Sequence, residues 1–293
     1  MGKSELQGVI EKMTVREITD AMIKKTGVPP IPLKDTCDRL MAGDWDMEVK
    51  GIAMTFMATV DVIKKAAALG ANLIITHEPT WFTGMDATDW LAGDEVYLRK
   101  KQLIEETGVA IWRFHDHMHF DRQDGIYRGF DQETGWAQYR MPILYDPAGP
   151  AFLKGRFDGC YEIPQTTLRG LCEELKQSIG MTVTRVIGDP DMPVSRVGVL
   201  PGGGSLGLGV EQMPMQLMRR RNLDVILCGD ITEWTLPAYV RDAAQMGMNK
   251  AIIVLGHERS EEPGMKRLGE WMKDITGEIP LFFTDAEEPF IYL

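Results

Sequence analysis

The sequence predicts an alternating α/β protein, and three observations carry that expectation. Short apolar runs recur along the chain with the length of buried strands. Segments with helical spacing of apolar residues lie between them. All five histidines (His77, His115, His117, His119 and His257) fall where one of these runs ends. In an open α/β sheet, the loops at the carboxyl ends of the strands build the site.

Val15–Lys25 carries Val15, Ile18 and Met22 on one side and predicts a helix, broken by Gly27–Pro32. Lys50–Met57 reads as a strand, Val60–Leu69 as a helix ended by Gly70, and Asn72–Thr76 as a strand. This βαβ unit predicts two parallel strands with a right-handed crossover. Glu95–Glu106 predicts a helix stopped at Gly108, and Val109–Phe114 the next strand. Phe120–Gly135 is polar and rich in Asp, Gln and Gly. It reads as an irregular loop, a connector or a lid, and as the boundary between two lobes, residues 1–128 and 129–293, which could be interleaved.

Tyr139–Gly188 is less regular, with one helix over Thr167–Ser178 capped by Thr166 or Thr167. The rhythm then returns. Strands are expected at Arg196–Leu200, Val225–Cys228, Ala251–Leu255 and Leu281–Thr284. Helices are expected at Val210–Arg219, Leu236–Met246 and Glu262–Ile275, the last with Pro263 in its first turn and Gly277 at its end. Pro201–Gly209 is a glycine-rich turn.

A chain of 293 residues with 44% hydrophobic and 26% charged residues has the composition of a globular protein with a real core. The net charge of −11 disfavours nucleic acid and anionic membranes as partners. No apolar stretch approaches the roughly 20 residues of a membrane span. Residues 1–12 lack the apolar core of a signal peptide, and Leu6 does not suit a myristoylation signal. Cys37, Cys160, Cys172 and Cys228 form no C-x-x-C pair and read as reduced thiols, so a cytoplasmic setting is expected. No serine or cysteine has a nucleophile-elbow context.

His/carboxylate clusters at strand ends are ligand types of Zn, Mn or Fe sites. His257 and Glu261, four apart at a helix mouth, would share one face, though a plain helix cap is the bland alternative. His77 and Glu78 precede Pro79. A turn there could bring both into one cavity, or leave a buried His beside a surface Glu. His115, His117 and His119 would share a face if the strand continued. All three could ligate, or some could orient the others through hydrogen bonds. Gly202–Gly203–Gly204 lacks the Lys-Ser/Thr of a phosphate loop, so close backbone packing is an equal alternative.

Several runs resemble one family. ANLIITHEPTWF (Ala71–Phe82) resembles the strand-His-His-Pro signature of Nif-three-like proteins, also known as GTP cyclohydrolase I type 2 or dinuclear metal centre proteins. GHERSEEPGMKRLGEWM (Gly256–Met272) is similar to that family's G-H-x-x-x-E-x-x-G-x-x-x-L-x-E-W-L motif. FHDHMHFDRQDG (Phe114–Gly125) aligns with H-x-x-x-D-x-x-x-x-x-G. PGGG (Pro201–Gly204) and CGDITEWT (Cys228–Thr235) resemble its glycine turn and its G-E/D-x-x-E segment.

The resemblance implies two three-layer-like α/β lobes with mixed sheets, a pair of divalent ions (Zn, Mn or Fe) between them, and a homo-oligomeric ring, often a hexamer. The ligands it implies are His77, Glu78, His119, His257 and Glu261. Glu78 stands where the family has His, and His119 where it has Asp. The exchange leaves the ligand charge unchanged, so the site is expected to persist. It also implies a metal-dependent hydrolase acting on a small phosphoester or cyclic amide. Asp121, His115 or His117 would be the general base, and Arg113, Arg122 or Arg259 an anion-binding group unless it is plain surface charge. No separate organic cofactor is expected. A non-catalytic regulatory or scaffold ring is the alternative, and a loosely held metal store is a weaker one.

Overall fold

The computed structural model describes residues 12–144 and 156–293. The N-terminal segment read above as lacking a signal peptide lies outside the described residues, apart from Lys12. The chain divides into two compact units, residues 1–120 with 268–286, and residues 121–267 with 287–293. The first unit thus takes back a C-terminal segment.

The first unit is built on a five-stranded mixed sheet in the order β1-β4-β3-β2-β10. Its strands are β1 (Leu40–Ala42), β2 (Ile52–Thr55), β3 (Leu73–Thr76), β4 (Ala110–Arg113) and β10 (Leu281–Phe283). β10, β2, β3 and β4 run parallel, and β1 closes one edge antiparallel. Every residue of β2, β3 and β4 is buried. Both faces are therefore covered, which is why these segments read as unbroken apolar runs.

The helices are α1 (Val15–Thr26), α2 (Val60–Ala68), α3 (Glu95–Thr107) and the short α4 (Asp116–Phe120). α1 opens on a capping box between Thr14 and Glu17, while α2 and α3 open on the side chains of Thr59 and Asp94. The expected βαβ unit is present, with Ile52 opposite Leu73.

The second unit carries another mixed sheet, in the order β5-β7-β8-β9-β6. β7 (Pro193–Leu200), β8 (Val225–Cys228) and β9 (Ala251–Val254) are parallel. β5 (Cys160–Thr167) and β6 (Arg185–Ile187) are antiparallel edges. Its helices are α5 (Gly125–Thr134), α6 (Leu168–Ile179), α7 (Met213–Arg220), α8 (Leu236–Gln245) and the first part of α9 (His257–Thr276).

Two expectations are corrected. Phe120–Gly135 is not an irregular loop, because most of it is α5, capped by Asp124 with Ile126 and Phe130 buried. Gly129 obscured the helical pattern. A Cβ there would stand 2.3 Å from the Pro263 carbonyl oxygen, so the close packing of α5 on α9 requires glycine inside the helix. The less regular stretch Tyr139–Gly188 contains β5 and β6 as well as the expected α6, while residues 145–155 lie outside the described ones. α9 also starts five residues earlier than expected, which makes Pro263 an interior residue.

Candidate metal centre

The cluster in the first unit grows from the carboxyl ends of β3 and β4. His77 follows β3 directly and is fully buried. Its Nδ1 lies 3.2 Å from the Phe114 carbonyl oxygen. A carbonyl only accepts, so Nδ1 carries the proton and Nε2 keeps its lone pair. That Nε2 lies 3.2 Å from Nε2 of His119. Burial, reinforced by nearby His115 and His119, holds the His77 pKa well below the usual imidazole range. The ring is therefore neutral at neutral pH, the form that ligates.

The triple-histidine segment does not continue the strand. It turns into α4, and the period changes from two to 3.6. His115 and His119 come to one face with His77. Their rings lie 4.5 Å (His77–His115), 4.9 Å (His77–His119) and 4.7 Å (His115–His119) apart between centroids.

His117 goes to another environment. Its Nδ1 donates to Asp38, and its Nε2 accepts from the Ile31 N–H at 3.4 Å. The strand does not continue, so the face that alternation would have given to all three rings goes to His115 and His119. Both nitrogens of His117 are engaged in holding the fold.

Asp38, which carried no signal in the sequence, caps this helix. Its carboxylate accepts from the backbone N–H groups of His115 (2.6 Å), Asp116 (2.8 Å) and His117 (2.8 Å). Asp116 is held in turn by His115, Thr36 and Cys37. Burial raises its pKa, but these hydrogen bonds outweigh it and keep the carboxyl well below the usual range.

Glu78 is not an isolated side chain. One of its oxygens accepts from Arg113 Nη2 at 3.0 Å, and the other lies 3.7 Å from His115 Nε2. Arg113 also donates to Asp86 and to the carbonyls of His77 and Gly84, and it is 3% exposed. Its guanidinium is spent inside the fold and is no anion-binding group. Arg122 is exposed, and Arg259 is buried against Glu258 and Glu262.

The second unit repeats the plan at three strand ends. His257 and Glu261 occupy the first turns of α9, after β9, with Nε2 and Oε2 3.1 Å apart. Asp230, after β8, accepts from His257 Nδ1 at 2.9 Å, and that hydrogen bond holds its pKa below the usual value. Gly202, after β7, explains the glycine turn. A Cβ there would stand 2.1 Å from Glu261 Oε1 and 2.8 Å from His257 Nε2. The turn serves close backbone approach to this pair. Asp121 accepts from Arg128 at 3.1 Å.

A divalent ion with bonds of about 2.0–2.2 Å to nitrogen or oxygen sets neighbouring donors about 3.3 Å apart in tetrahedral geometry. The 3.2 Å and 3.1 Å separations fit that requirement. The donors are imidazole and carboxylate, with the second imidazole nitrogen held by a hydrogen bond on His77, His115 and His257.

Two mixed α/β units, each with histidine and carboxylate gathered at the carboxyl ends of its parallel strands, define a class of α/β protein with metal-type ligand clusters. The chain belongs to the Duf34/NIF3 (NGG1p interacting factor 3) family, whose model matches residues 13–289. It is 29% identical over 248 residues to a GTP cyclohydrolase 1 type 2 homolog of Clostridium acetobutylicum, covering 80% of this chain and 82% of that one. A GTP cyclohydrolase 1 type 2 homolog of Clostridium perfringens is 24% identical, over 91% and 95% of the two chains. The fold is similar to that of a Bacillus cereus protein related to NIF3, with a TM-score of 0.70 at 17% identity, covering 96% and 99% of the two chains. No helix among the described residues is long and apolar enough to cross a membrane.

Proposed function

We propose that this protein binds a pair of divalent ions and uses them to hydrolyse a small phosphoester or cyclic amide. The observation that carries the reading is the pair of Nε2 atoms of His77 and His119, 3.2 Å apart, with the His77 proton fixed on the other nitrogen. Zn, Mn and Fe suit these donors. The ligand set is His77, Glu78 and His119 of the first unit, and His257 and Glu261 of the second.

Such an ion, when bound, supplies Lewis acidity toward a phosphoryl or carbonyl oxygen. The chain supplies orientation and proton transfer. Phe114 and Asp230 fix the tautomers of His77 and His257. His117, engaged with Asp38 and Ile31, holds α4 in place. Proton transfer falls to His115 or Asp121. The name of the relatives, GTP cyclohydrolase 1 type 2 homolog, supports hydrolytic opening of a ring as one reaction class. The four free thiols support a reducing, cytoplasmic setting. A homo-oligomeric ring, hexameric as the resemblance implies, belongs to the same proposal and is checked by light scattering.

Elemental analysis of protein purified without added metal or a chelating tag tests the reading. About two equivalents of Zn, Mn or Fe are expected in the wild type, falling in a His77→Ala, His119→Ala double variant, with hydrolysis in a screen of phosphoesters and cyclic amides. Trace metal that the variant retains would sink the metal reading. Full metal without turnover would favour the scaffold alternative.

A further inference from the structure

We infer that Asp116 is a positioning residue that fixes His115 as a third imidazole ligand of the first unit's metal site. The inference rests on the metal-binding reading above and adds two residues to it. Asp116 Oδ1 meets His115 Nδ1 at 2.9 Å. Its other oxygen accepts from Thr36 Oγ1 at 2.7 Å and the Cys37 N–H at 2.9 Å, with Cys37 Sγ 3.5 Å away. The carboxylate is thus anchored on a segment 79 residues from it in sequence, and its remaining oxygen is aimed at one imidazole.

An anionic acceptor on Nδ1 keeps the proton there and leaves the Nε2 lone pair as the ligand atom. His77 reaches the same tautomer through the Phe114 carbonyl. Ligand atoms of His77, His115 and His119 all lie within 4.8 Å of one another. The helical turn that sets His115 and His119 four apart brings them onto the same face. Cys37 shares the anchor through its backbone N–H.

Three imidazoles, two of them with a carboxylate or carbonyl partner behind the ring (Asp116 on His115, Phe114 on His77), are a donor set that suits zinc. This assigns His115 to ligation rather than to proton transfer. A carboxylate behind a ligating histidine changes metal affinity by about 10- to 100-fold.

The test measures zinc affinity of the full chain by competition with a chromophoric chelator. It compares wild type, D116A, H115A, the D116A/H115A double variant and T36V. D116A is expected to weaken zinc binding about 10- to 100-fold. H115A should weaken it at least as much, and the double variant no further than H115A, because Asp116 acts through His115. T36V removes one anchor but leaves the bond to His115, and should bind like the wild type.

Long-range proton–nitrogen spectra supply a readout that a merely structural role would not move. The His115 ring should be protonated at Nδ1 in the metal-free wild type and should lose that preference in D116A. If D116A does not fold, D116N keeps an oxygen for the Thr36–Cys37 anchor but turns its NH2 donor toward His115 Nδ1, and is read in its place, with a comparable loss expected. Wild-type affinity in a folded D116A or H115A overturns this assignment and leaves the metal reading standing. A wild type that takes up no zinc, manganese or iron overturns both.

Discussion

Lys100 shows how one residue carries a pH dependence. It is 5% exposed, donates to the Thr80 carbonyl at 2.8 Å, and lies over the rings of Trp81 and Phe82. Burial, only partly offset by Asp86, pushes its pKa down to about 8 from 10.5. Between these values the unfolded chain binds the proton and the folded chain has released it. Stability therefore rises with pH across that window, and the contribution is lost as pH falls through about 8. Denaturant titrations of wild type and K100M from pH 7 to 10.5 should show the wild type gaining on the variant by up to about 3 kcal/mol. A difference that stays constant across the window would refute the buried-ammonium account.

At the scale of the element, α4 sorts three histidines that look alike in sequence. Alternation along H-D-H-M-H suggests one shared face, but a helix places the middle ring apart from its neighbours. His117 is accordingly a structural partner of Asp38. H117A should lose about 2–4 kcal/mol of stability, because it removes a charge-assisted hydrogen bond and a buried ring. Its metal content should match that of the wild type. Urea unfolding paired with elemental analysis checks both halves, and loss of metal from a folded H117A would contradict the division of roles. α5 teaches the same lesson from the other side, since Gly129 weakens a helix signal in order to let α9 approach.

At the scale of the whole molecule, ligand-type residues stand at strand ends in both units, so bound metal should stabilise the native chain over the unfolded one. A metal whose dissociation constant lies about a thousandfold below its free concentration adds about 4 kcal/mol. Chelation of protein shown to carry metal should lower the thermal midpoint by on the order of 10 °C, and reloading should restore it. A midpoint indifferent to chelation would mean that the folded and unfolded chains hold the metal alike.

The sequence by itself determined where the parallel strands lie and that histidines close three of them. Apolar runs of about four or five residues bounded by glycine are too short for a helix and fit strands covered on both faces, and the ligand-type residues are local to their ends. Val225–Cys228 was legible to the residue, and His257 with Glu261 followed from helical spacing alone. Tertiary structure decided which groups complete the site. Asp38 reaches His115 across 77 residues, Arg113 meets Glu78 across 35, and Asp116 is anchored by Cys37 across 79. No local pattern encodes these partners. A buried polar group must be satisfied, but spacing along the chain does not say by which distant residue. The alternation of strand and helix was therefore readable from periodicity, and the two-lobed plan from the family resemblance. The tautomers of His77, His115 and His257, on which the proposed chemistry depends, were set only when the chain folded and brought an acceptor to each Nδ1.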